Sequence, residues 1–181
     1  MFTFEVNYTG NDKVQKAFDG AFKAFSRDFQ RGILARIGHE YIADTEKRFE
    51  KQHDVDRKPW AKLSKTTVRL KKKGDGRRGP GIMGASHRGV WTGDLATSLK
   101  MRFDGNSVVI GTDIEYAKPF HYGVKKLNKI GAKATTPWGP IPPRRFLGRN
   151  NRIDKKVIGI VRDELAKKIG IDPGSAGRDY L

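Results

Sequence analysis

Phe2, Phe4, Val6 and Tyr8 alternate with Thr3, Glu5 and Asn7, a period of two that predicts a short strand with one buried face. Thr9-Gly10-Asn11-Asp12 breaks the strand, and Asn11 or Asp12 caps the next element. Val14, Phe18, Phe22, Phe25, Phe29, Ile33, Ile37 and Tyr41 then step by three or four. That stripe predicts one helix of roughly forty residues, bent at Gly32 or Gly38, whose aromatic side is the face on which a sheet lies.

The middle of the chain is less periodic. Ser64 to Lys73 reads as a short helix with Ser64 as its cap, and Gly74 to Gly81, GDGRRGPG, as a loop that cannot pack. Thr92-Gly93-Asp94-Leu95 reads as a helix start capped by Thr92. Leu99, Met101 and Phe103 alternate with Lys100 and Arg102, Asp104-Gly105-Asn106 turns, and Val108, Val109 and Ile110 return: a β-hairpin. Glu115 to His121 forms one helical turn, Lys125 to Thr136 is basic and irregular, and Asp154 to Ile169 is an amphipathic helix. Gly170 ends that helix, and 171–181 is a loose tail. The order predicts a single α+β domain over 1–170. Its long N-terminal helix and its C-terminal helix pack on a small antiparallel β-sheet, and 53–91 form a basic insertion.

Charge sharpens this picture. The chain of 181 residues carries 37 Lys and Arg against 20 acids, a formal net charge of +17. Between His53 and Trp91 eleven Lys or Arg face three Asp, so +8 of that excess sits in the insertion. Such a bias implies a polyanionic partner: nucleic acid, an acidic protein face or an anionic surface. The absence of cysteine excludes disulfides and thiolate metal sites. MFTFEVNYTGND lacks the basic start and apolar core of a signal peptide, and no run reaches the roughly 18 apolar residues of a membrane span. The expectation is a soluble protein made in the cytoplasm, with no membrane partner.

Catalytic patterns are sparse. GDGRRGPG lacks the Gly-Lys-Ser/Thr of a phosphate-cradling loop. His39, His53, His87 and His121 form no metal-binding pair on one helix face, and no serine sits in a Gly-x-Ser-x-Gly elbow. Asp54 and Asp56, with Glu50, are the one carboxylate set that a metal-dependent nuclease would use, but Arg57 and Lys58 beside them account for their charge. The expectation is therefore no enzyme, no metal and no cofactor. Lys71, Lys72, Lys73, Arg77, Arg78 and Arg88 flank the glycine loop and are candidates for contact with DNA phosphate or with an acidic protein.

Several blocks, in order and spacing, carry a family resemblance. They are Trp60-Ala61-Lys62-Leu63-Ser64, Trp91-Thr92-Gly93-Asp94-Leu95-Ala96-Thr97-Ser98-Leu99 and Val109-Ile110-Gly111-Thr112. Tyr116-Ala117, His121-Tyr122-Gly123 and Ile141-Pro142-Pro143-Arg144-Arg145-Phe146-Leu147-Gly148 complete the set. Over about residues 45 to 165 the chain resembles the virion-morphogenesis, or tail-completion, proteins of Mu-like and related tailed phages. It departs from their pattern at His121-Tyr122-Gly123, where His-Gln-x-Gly or similar is usual. The resemblance implies a noncatalytic structural protein of the phage neck: a homo-oligomeric ring, sixfold in such proteins, that completes the tail and joins it to the head. The genome passes through the ring. Implied partners are other copies of the chain, the connector or stopper, the tail tube, the sheath of a contractile tail, and genomic DNA in the lumen. The rival reading from charge alone is a monomeric nucleic-acid-binding protein.

In that light 141–148 read as a stiff hook. Pro142 and Pro143 fix φ and lower the freedom lost on docking. Phe146 and Leu147 anchor the hook in a pocket of the same chain or the next, and Arg144 and Arg145 fork onto carboxylates. Pro142, Pro143, Arg144, Arg145, Phe146 and Leu147 are thus the expected subunit interface.

Overall fold

A computed structural model describes residues 2–5, 25–73, 93–124 and 141–170. Its elements are β1 (Phe2–Glu5), α1 (Arg27–Lys51), α2 (Lys65–Lys73), α3 (Asp94–Thr97), β2 (Lys100–Asp104), β3 (Ser107–Thr112), α4 (Ala117–Tyr122) and α5 (Asn151–Ile169). The fold is α+β, with a three-stranded sheet in the order β1-β3-β2. The chain divides into two compact units, one built mainly from 43–100 and 111–148, the other from 5–42, 101–110 and 149–181.

The second unit joins the first part of α1, the β2–β3 hairpin and α5. Ile33, Leu34, Ile37 and Tyr41 are its buried α1 stripe, as the three-and-four spacing required. In β2 half-buried and exposed positions alternate, whereas Val108, Val109 and Ile110 of β3 are all buried. Gly105 takes a φ of 55° in the two-residue turn between them, the left-handed region that glycine enters without a Cβ clash. α1 and α5 run antiparallel: Arg36 pairs with Glu164, and Glu40 with Lys156. Lys168 lies over the Phe29 ring, and Ile153, Val157, Val161 and Ala166 form the buried face of α5.

Two boundaries differ from expectation. The long helix starts at Arg27, because Phe25 and Ser26 are not helical and Ser26 accepts the amide of Phe29 at 3.4 Å. Val6, Tyr8, Asn11, Asp12 and the stripe from Val14 to Phe22 lie outside the described residues. A Cβ on Gly38 would lie 2.7 Å from Met101 Sδ and 3.2 Å from Val108 Cγ2, so Gly38 is where α1 touches the hairpin, while Gly32 faces open space. α5 begins at Asn151 rather than Asp154, because the Asn150 side chain accepts the amides of Arg152 and Ile153, both at 3.0 Å. Gly170 closes it in left-handed conformation, and the expected tail at 171–181 lies outside the described residues.

The first unit holds the second part of α1, α2, α3, α4 and the 141–148 segment. Ser64 caps α2 as expected, its Oγ accepting the Thr67 amide at 3.1 Å. The cap position of α3 is Gly93, with φ 91° and no side-chain cap; Trp91, Thr92, the loop 74–81 and the stretch 125–136 lie outside the described residues.

Candidate assembly surface

The hook is built from the inside outwards. Phe146 has no exposed surface and Leu147 almost none. Phe146 meets Phe49 of α1 at 5.3 Å between ring centroids, His121 of α4 at 5.1 Å and Phe120 at 6.0 Å. Trp60 stands edge-on to Phe49 and Phe120 at 5.3 and 5.5 Å, a preferred geometry for rings whose faces are electron-rich and edges electron-poor. The result is one aromatic cluster drawn from four separate stretches of sequence.

Backbone bonds lock the hook beside α4. Val124 and Ile141 exchange amide-to-carbonyl bonds at 2.8 and 2.9 Å, and the Arg144 amide donates to Phe120 O at 3.0 Å. Gly123 sits at φ 75°, and a Cβ there would lie 2.7 Å from Ile141 O and 2.8 Å from Pro143 N. Only glycine permits that approach. Pro142 and Pro143 give up no pairing in this segment, since they have no amide to donate.

Two arginines are consumed internally. Arg144 is buried: it donates to Ala61 O at 3.2 Å and its guanidinium lies 5.5 Å from the Phe120 ring centre. Arg48 and Asp44 of α1 form an ion pair with each side chain 1% exposed, and Arg48 also donates to Phe146 O at 2.8 Å and Gly148 O at 3.2 Å. One guanidinium thus fixes the hook to the helix through three acceptors, a fork that lysine does not reproduce. His121 is buried beside it. Desolvation first, then the charges of Arg145 and Arg48, lower its pKa to about 4, so it is neutral at physiological pH.

The six residues expected at the interface divide between the inside of this chain and its surface. Arg144, Phe146 and Leu147 are buried in their own chain, and the Arg144 guanidinium donates to the carbonyls of Pro142 and Ala61. Pro142 is half-buried, and Pro143 and Arg145 face solvent. In the basic insertion Lys72 and Lys73 are exposed, but Lys71 is buried, and that burial lowers its pKa. Arg77, Arg78 and Arg88 lie outside the described residues.

The candidate nuclease carboxylates have structural partners. Asp54 Oδ1 accepts the amides of Asp56 and Lys58, both at 2.8 Å, and shapes the turn that closes with Trp60 N donating to Gln52 O. Asp56 pairs with Arg145 at 3.5 Å. Among the described residues no helix is long and apolar enough to cross a membrane.

Three of the blocks that carried the resemblance, those of Trp60, His121 and Phe146, thus meet in the first unit. The sequence profile of the phage virion morphogenesis family matches residues 10–166, which is 157 of the 181 residues. The chain belongs to the phage virion morphogenesis family. Membership gives it a role in building the phage particle, and makes the hook and its surroundings part of a virion-associated protein. No curated protein matches the chain, and no solved structure does.

Proposed function

We propose that this chain is a noncatalytic subunit of the phage neck: it assembles with other copies into a ring, sixfold by family resemblance, that completes the tail and joins it to the head. DNA passes through that ring. The reading is carried by the family match over residues 10–166. It draws support from the chemistry of the first unit, where Asp44, Asp54, Arg48 and Arg144 are engaged in holding the fold. The net charge of +17 fits a protein that works beside nucleic acid and acidic neighbours.

The same charge favours one rival, a monomeric nucleic-acid-binding protein. Light scattering after size exclusion, with negative-stain imaging and a salt titration against duplex DNA, separates the two. Closed rings without DNA are expected. A chain that stays monomeric at every concentration, yet binds duplex with a steep salt slope, overturns the ring.

A further inference from the structure

The outer side of α2 is cationic from end to end. Arg69 lies four residues after Lys65, and Lys72 and Lys73 lie three and four residues after Arg69, which places all four within about 100° of arc on a helix of 3.6 residues per turn. All four are exposed, as is Lys62 just before the Ser64 cap. Val68 and Leu70 are half-buried and Lys71 is buried, so the helix is seated by its other side. Carboxylates of the first unit pair elsewhere: Asp44 with Arg48, Asp56 with Arg145 and Asp113 with Lys100. Among the described residues no side chain forms an ion pair or a hydrogen bond with the side chain of Lys62, Lys65, Arg69, Lys72 or Lys73.

Such an arrangement costs the helix stability. Like charges three or four residues apart repel one another. The first turn holds Lys65 and no acid, so a cation sits at the positive end of the helix dipole; only Lys72 and Lys73, in the last turn, stand where the dipole favours them. A polyanion laid along the helix offsets both penalties. We infer that the outer face of α2, formed by Lys65, Arg69, Lys72 and Lys73, binds the phosphate backbone of duplex DNA without regard to base sequence. This deepens the reading above and rests on it only for the source of the DNA, the genome that passes the ring.

Composition decides for phosphate over an acidic protein. Interfaces between proteins are rich in aromatic residues and poor in Lys, and their binding energy concentrates in Trp, Tyr and Arg. α2 has no aromatic residue, and three of the four cations on its outer face are lysines. Lysine is a point charge on a flexible stem, suited to phosphate in any register, whereas reading base edges calls for planar groups such as those of Arg, Asn and Gln. The spacing agrees. Cations one turn apart rise by about 4.5–6 Å along the helix, between one and two steps of a phosphate row that advances by about 3.4 Å per strand, and lysine stems span the difference. Contacts of this kind weaken with salt and let a protein slide along DNA, as a channel requires.

Full-length wild type is compared with Lys65→Gln/Arg69→Gln/Lys72→Gln. A control, Lys47→Gln/Arg102→Gln/Lys155→Gln, removes the same charge from exposed positions on α1, β2 and α5. AT-rich and GC-rich duplex oligonucleotides are titrated by fluorescence anisotropy over a range of salt. Sedimentation velocity reports the oligomeric state, and circular dichroism with the thermal midpoint establishes that each chain is folded. The α2 variant is expected to lower the slope of log affinity against log salt by about 3 for each chain on the duplex, equally for both duplexes, while the control keeps the wild-type slope. Hydrogen exchange of wild type needs no variant, and duplex is expected to slow it across α2. A folded α2 variant with the wild-type slope, a control that loses as much, or bound DNA that leaves α2 exchange unchanged overturns the assignment. Polyglutamate that binds wild type as tightly as duplex gives the face to an acidic protein and overturns it too. A wild type that forms rings yet binds no duplex removes the DNA face and leaves the ring. A monomer whose duplex binding falls in the α2 variant removes the ring reading and leaves the face.

Discussion

Replacing Arg48 by methionine tests the arrangement that holds the hook. The substitution keeps the aliphatic stem and removes the guanidinium. Asp44, 1% exposed, then faces a buried site without its cation, and Phe146 O and Gly148 O lose their donors. Breaking a buried pair by removing one partner costs about 3–5 kcal/mol. That is about a fifth or more of the roughly 5–15 kcal/mol that holds a typical domain together. Asp44→Asn strands the cation instead and costs a similar amount. In the double variant no charge is left buried, and only the carbonyls go short, at about 1–3 kcal/mol each. The double variant is therefore no worse than either single change, a coupling of about 3 kcal/mol. Urea unfolding followed by tryptophan fluorescence, to which Trp60 of the adjoining cluster contributes, measures all four corners of the cycle. A second readout is independent of stability: without Arg48, the pKa of His121 moves up from about 4, because one of its depressing charges is gone. A cost below about 1 kcal/mol for Arg48→Met, or strict additivity of the two changes, refutes the reasoning.

Gly32→Ala, on an open helical surface, raises stability by about 0.5–1 kcal/mol, whereas Gly38→Ala drives a methyl against Met101 and Val108 and lowers it by about 1 kcal/mol or more; denaturation midpoints of the two give opposite signs. Gly123→Ala, with φ 75° and a Cβ 2.7 Å from Ile141 O, costs about 3 kcal/mol and speeds hydrogen exchange at the Ile141 and Val124 amides. His121 binds its proton more readily unfolded than folded, so stability is full above about pH 6.5 and falls by about 3 kcal/mol as pH drops to about 4. His121→Gln flattens the profile of unfolding free energy over that window. Asn150→Ala removes the acceptor of two amides at the start of α5 and costs about 1 kcal/mol by the same denaturation assay.

The periodic parts of the fold were legible because one physical cause, burial of a face, writes both the sequence pattern and the structure. Ile33, Ile37 and Tyr41 on α1, Met101 and Phe103 on β2, and Val157 and Val161 on α5 sit as their spacing requires. The α1 boundary was not legible, because Phe25 continues the apolar stripe while its backbone does not continue the helix. Asp44 and Arg48 were missed although a signal existed. The stripe runs on from Tyr41 through Thr45, Arg48 and Phe49, so an Asp/Arg pair four residues apart lies on the buried side. Charges on an apolar face are the sequence mark of a buried ion pair. The hook could be read as stiff and anchored, but composition does not say whether Phe146 fills its own chain's pocket or a neighbour's. That depends on contacts separated by nearly a hundred positions, such as Arg48 with Phe146 O.

Three of the segments that carry the family resemblance have a physical explanation in common. Trp60, His121 and Phe146 come from three different blocks, and each lies within about 5–6 Å of another member of a single aromatic cluster, ring centre to ring centre. Ala117 has no exposed surface, and Gly123 is fitted against the hook backbone. These residues assemble a core and brace a loop. What the braced loop displays is Arg145 and Pro143, with the Arg57–Lys58 turn tied to Arg145 through Asp56. Changes confined to those exposed side chains leave the packing beneath them in place, whereas changes at Phe146, Arg144 or Arg48 alter the fold itself. The two classes of variant are separated by whether the thermal midpoint moves.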